Sequence, residues 1–76
     1  MSIVEQVKEA IETAIPGSQA TVRGGGGHFE IEVVSSAFEG KRLLAKQRLV
    51  YSAIKHLMGG DDAPVHAVDS MKCIIP

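Results

Sequence analysis

Phe38–Met58, FEGKRLLAKQRLVYSAIKHLM, is the stretch on which the fold turns. At about 100° per residue, Leu43, Leu44, Gln47, Val50, Tyr51, Ile54, Leu57 and Met58 fall on one side of a helix. Lys41, Arg42, Lys46, Arg48 and Lys55 fall on the other. The spacing predicts a turn at Phe38-Glu39-Gly40 followed by one long amphipathic helix. Its apolar side is expected to be core. Its polar side holds five of the eight basic residues of the chain, with no acid after Glu39.

Working outward, Gly59-Gly60 ends this helix and Asp61-Asp62-Ala63-Pro64 is a loop. Val65–Ile75, rich in β-branched and apolar residues, reads as a closing strand. Upstream, His28–Val34 alternates, with Phe29, Ile31 and Val33 on one face and His28, Glu30 and Glu32 on the other. That is the pattern of a half-buried strand. Gln19–Arg23 is a shorter strand candidate. The four glycines Gly24–Gly27 read as the loop joining the two strands into a hairpin. The chain opens on Ser2 and Glu5 in the S-x-x-E spacing of a capping box. Ile3, Val4, Val7, Ile11, Ala14 and Ile15 then recur at helical spacing until Pro16-Gly17. A first helix is expected over about Ile3–Ile15, with Glu5, Lys8, Glu9 and Glu12 facing water.

The order is therefore α-β-β-α-β, an α+β arrangement in a single domain spanning residues 1–76. The hairpin is antiparallel, and the helical crossover makes the last two strands parallel if they are neighbours. A three-stranded mixed sheet with both helices packed on one face follows, because each element has a single apolar face to bury.

The bulk numbers bound the function. A chain of 76 residues buries only about 60% of its unfolded surface, so the core is thin. Apolar content of 45% with 22% charge is a globular balance rather than a disordered one. Net charge is −1, so the molecule is not a polycation. Outside residues 41–58, however, three basic residues face nine acids, which gives a local basic field without a global one. The single cysteine, Cys73, forms no internal disulfide, which points to a reducing compartment. The N-terminal residues have the pattern of neither a signal nor a transit peptide. No apolar run approaches the roughly 18 residues of a membrane span. The expectation is a soluble cytoplasmic protein with no membrane association.

The topology has a chemical consequence. His28 opens the second strand and His66 is expected to open the third. Parallel neighbours start at one edge of a sheet, about 4.8 Å apart, so both imidazoles come to one rim. Neutral imidazole is a ligand for zinc, copper and iron. Two solvated histidines are the plain alternative. As a metal site the pair is incomplete, since a structural zinc takes four protein ligands. Cys73 follows His66 by seven residues, more than roughly 20 Å along a strand, so it cannot complete the site. The missing ligands would come from a partner. Histidine-ligated iron–sulfur centres provide a precedent.

Other features have two readings each. The basic helix face is a phosphate-binding surface or a solvated face. Gly24–Gly27 is an anion nest or a flexible hairpin tip; no helix follows it, and no P-loop pattern completes it. Asp61-Asp62 holds a cation or is an ordinary acidic loop. Cys73 reads as a packed small hydrophobe, and His56 as solvated. Gln47 interrupts the apolar stripe and either reaches a backbone partner or marks its edge. No nucleophile has a base beside it and no carboxylate pair is set by spacing, so the chain reads as a binding module rather than an enzyme.

The run HFEIEVVSSAFEGKRLLAKQRLVY (residues 28–51) and VHAV (residues 65–68) resemble the BolA-like family. The match rests on Phe38, Gly40 and Lys41 in the turn, on Arg48, Val50 and Tyr51 in the helix, and on His66-Ala67. The resemblance implies a fold related to class II KH domains. It implies a partnership with a monothiol glutaredoxin in which a [2Fe–2S] cluster is shared. His66 and His28 are then the ligands from this chain, and the glutaredoxin cysteine and glutathione complete the shell. It also implies an alternative, a DNA-binding transcriptional regulator acting through Lys41, Arg42, Lys46 and Arg48. Alone, the chain is expected to be a monomer or at most a weak homodimer. Two departures stand out: Gln47 occupies a position where family members often carry histidine, and the KH-type G-x-x-G loop is absent.

Overall fold

The computed structural model describes residues 1–76. Helix α1 spans Ile3–Ala14. Its N-terminus is closed by the expected Ser2–Glu5 pair: Glu5 N donates to Ser2 Oγ at 3.1 Å, and the Ser2 hydroxyl, in place of the Ser2 backbone N–H of a full capping box, donates to Glu5 Oε1 at 3.1 Å. Val7 and Ile11 are the buried positions of α1, and Ile15 follows them into the core. Gly17, at φ +81°, then reverses the chain.

Strands β1 (Gln19–Gly25) and β2 (His28–Val34) form an antiparallel hairpin. The sequence predicted a four-glycine loop, but Gly24 and Gly25 pair with Phe29 and His28, and only Gly26-Gly27 turn. Both turn residues have positive φ, +62° and +85°. A two-residue hairpin turn of this twist needs left-handed backbone at both central positions, so two glycines suffice and the other two extend the strand.

After β2, Ser35 caps a short 3-10 turn, Ser36–Phe38, by accepting from Ala37 N at 3.0 Å, and Phe38 is fully buried. Gly40, at φ +74°, separates this turn from helix α2, Leu43–Ile54. The predicted unbroken helix to Met58 ends instead in a 3-10 turn over Lys55–Leu57. Strand β3 covers Ala67–Ile74. Val65 is buried but unpaired in the sheet, so β3 begins two residues later than expected, where β2 begins.

The sheet order is β1-β2-β3, with β2 and β3 parallel. Ala20 and Val22 of β1 pair with Val33 and Ile31 of β2 on one face. These residues form one cluster with Val7, Ile11, Ile15, Phe29, Phe38, Val50, Ala53, Ile54 and Val65. Both helices therefore share the core side of a three-stranded mixed sheet.

The core side of α2 differs from the expected stripe. Val50, Ala53 and Ile54 are buried, flanked by the partly buried Leu49, Leu57 and Met58, whereas Leu43, Leu44 and Tyr51 are 64%, 57% and 38% exposed. Leu44 and Tyr51 lie about 100–120° from Val50 on a helical projection, and the packed face is turned the other way, towards Leu49 and Ala53. Leu43 has nearly the phase of Val50 but, as the first residue of α2, is left exposed. Gln47 is half-buried, at the edge of the stripe. No helix is long and apolar enough to cross a membrane.

Candidate metal centre

The hairpin turn and the start of β3 are joined through one carbonyl. Gly27 O accepts from His66 N at 2.8 Å and from Ala67 N at 3.0 Å. His28 is in register with Ala67, so His66 and His28 flank that junction at a common rim. His66 therefore lies one residue before the strand rather than inside it. Its ring packs over Gly27: a Cβ built there would overlap Cδ2 and stand 2.9 Å from Cγ. Gly27 is thus required twice, for its positive φ and for the space that the imidazole takes. Both histidines are exposed.

His28 has a partner that the sequence did not announce. Its Nδ1 lies 3.1 Å from Asp69 Oδ1. The signal was faint, a carboxylate three residues after His66, and no motif singles it out. No group of three or more His, Cys, Asp or Glu side chains is arranged to hold a metal ion, so the chain supplies too few ligands to close a four-ligand shell. Cys73 pairs with Val33 near the far end of β3, well away from this rim. It is half-buried; burial pushes its thiol up, opposed in part by the Lys46 charge. A thiol held protonated is a poor metal ligand and a poor nucleophile, which agrees with its reading as a packed small side chain.

The basic residues divide. Lys41, Arg42 and Arg48 are exposed, Arg42 at the N-cap of α2, whereas Lys46 is half-buried on the side of the helix that faces the Cys73 end of β3. His56 is exposed beside the groove between α1 and α2, which Gln6, Ala10, Thr13, Ala53 and Leu57 help to line. Asp61 and Asp62 are exposed in the turn before Ala63.

Residues 4–75 match the model of the family described as BolA-like protein. An uncharacterized protein of Acinetobacter guillouiae is 34% identical over 64 residues, covering 84% of this chain and 75% of that one. BolA-like protein 1 from Homo sapiens is 44% identical over 52 residues, 68% of this chain but only 36% of the human protein, so the chain spans about a third of that relative. The structure of a bolA protein homologue from Coxiella burnetii superposes with a TM-score of 0.82 at 36% identity, covering 100% of this chain and 94% of that one.

Proposed function

The chain belongs to the BolA-like family, and from that premise we propose that it is an iron–sulfur adaptor that pairs with a monothiol glutaredoxin and shares a [2Fe–2S] cluster with it. The observation that carries this reading is the junction at Gly27, which brings His66 and His28 to one exposed rim of the sheet, with only the Asp69 carboxylate beside His28. That donor set fits half of a cluster's protein ligation. Two imidazoles on one iron have a precedent in His-ligated [2Fe–2S] centres. The glutaredoxin cysteine and glutathione would supply the other half.

When bound, the cluster supplies one-electron chemistry and a unit of iron and sulfide to be passed on. This chain's own part is positional. Gly27 seats the His66 ring, and the backbone bonds from His66 N and Ala67 N stop the rim from opening. The test is co-purification with the glutaredoxin, followed by visible absorption and circular dichroism. His66→Ala and His28→Ala should each change the spectrum while leaving the fold intact, since both side chains are exposed. An unaltered spectrum in either variant removes that ligand.

A second reading, a DNA-binding regulator, is favoured by one observation: Lys41 and Arg42, just before α2, and Arg48, midway along it, are all exposed. The two surfaces draw on different residues and do not exclude one another.

A further inference from the structure

The parallel pairing of β2 and β3 slips once. Phe29 is in register with Val68, but Glu30 is in register with Ser70, which leaves Asp69 as the extra residue of a β-bulge. Without the slip, Asp69 would stand directly opposite Glu30, two like charges across a strand pair. Lys72 would also be turned towards the core side of the sheet. With it, Ser70 faces Glu30, Lys72 faces Glu32, and Met71 and Cys73 pack against the core. The residue released from the ladder is the one that reaches His28. Bulges commonly re-aim a side chain in this way beside functional sites.

The direction of that contact follows from elementary chemistry. A carboxylate has only acceptors, so the proton between Asp69 Oδ1 and His28 Nδ1 sits on the ring nitrogen. In the neutral ring Nε2 then carries the free lone pair. Histidines that bind metals usually have this arrangement, one nitrogen donating to a carboxylate or carbonyl while the other ligates.

We propose that Asp69 is a positioning residue that locks His28 in the Nδ1–H tautomer and presents Nε2 as the donor atom. This rests on His28 being a cluster ligand. The pair is surface-exposed, 60% and 56% for the two side chains, so it contributes little to folding. Its value lies in fixing one tautomer and one ring orientation before the partner arrives.

The test has two arms. In the first, long-range nitrogen–proton NMR of the chain alone, at a pH where the imidazoles are neutral, reads the His28 tautomer. Asp69→Ala should move His28 towards the Nε2–H form that a free imidazole favours. Asp69→Asn, whose amide oxygen still accepts, should keep the wild-type pattern. The rings of His56 and His66 should not respond. A His28 signal identical in wild type and Asp69→Ala overturns the proposal. In the second arm, the glutaredoxin complex is challenged with an iron chelator, and Asp69→Ala should retain its cluster about tenfold or more less well, with Asp69→Asn nearer to wild type. Equal retention, with His28→Ala still altering the spectrum, also overturns it. If His28→Ala leaves the spectrum untouched while Asp69→Ala still shifts the tautomer, the ligand reading has failed and the proposal falls with it. The hydrogen-bond assignment then stands by itself.

Discussion

Glu12 ties α1 to the edge of the sheet through backbone rather than through a second side chain. Its Oε2 accepts from Ala20 N at 3.0 Å and from Lys8 Nζ at 2.7 Å, and Lys8 Nζ donates again to Ala20 O at 3.0 Å. The sequence placed both residues facing water. Helical spacing reports only the side of the helix, and the partner here is a backbone amide in another element. The Lys8 hydrogen bond and the Ala20 amide hold the Glu12 carboxyl below the ordinary glutamate value of 4.5. A carboxylate whose pKa is depressed on folding contributes stability above its unfolded pKa and loses it as pH falls through the folded one. Glu12→Gln should therefore cost about 0.5–1 kcal/mol near neutral pH, the range for a partly exposed ion pair with one hydrogen bond. The gap from wild type should narrow as pH falls from 4.5 through the lowered folded value. Urea denaturation of both proteins across pH checks this; a gap that does not narrow in acid assigns the effect to packing instead. The Ser2–Glu5 box was legible where the Glu12 contact was not, because both of its partners lie within one turn.

At the scale of elements, the order of helices and strands and the faces of β2 were legible, because alternation and capping are local signals. The strand boundaries that failed share one cause. Gly24 and Gly25 are strand because β2 offers partners, and Val65 is not strand because β2 starts only at His28. The bulge at Asp69 was equally hidden, since it is set by which residues of β3 must face α2. The rotation of α2 also depends on what lies beneath it, and it yields a clean contrast. Ile54→Ala deletes a fully buried side chain and should cost about 2–5 kcal/mol. Leu44→Ser, on the stripe that the sequence favoured but the fold leaves exposed, should stay within about 0.5 kcal/mol. Denaturation midpoints at matched slope decide between them. Equal losses would mean that α2 is packed on the face predicted from its sequence.

At the scale of the molecule, charge separation is the feature that composition already showed and the fold sharpens. All nine acids lie outside residues 41–58, and the outer face of the sheet sets Glu30 and Glu32 against Arg23 and Lys72 in register. The cations on that face are matched, whereas those near α2 are not. Of the latter, Lys41, Arg42, Arg48 and Lys55 are exposed, and Lys46 is half-buried. If this face meets duplex DNA, three or four phosphate contacts give a slope of log K against log salt of about −2.7 to −3.6. Arg48→Ala should reduce that slope by about one. Lys46→Ala, although its residue belongs to the same basic run, should leave the slope unchanged, as should His28→Ala and His66→Ala at the other site. Fluorescence anisotropy with a labelled duplex over a salt series measures all of these. A slope insensitive to Arg48, or no binding below about 100 μM protein, the weak end of non-specific affinity, would remove the nucleic-acid reading and leave the histidine rim as the functional surface.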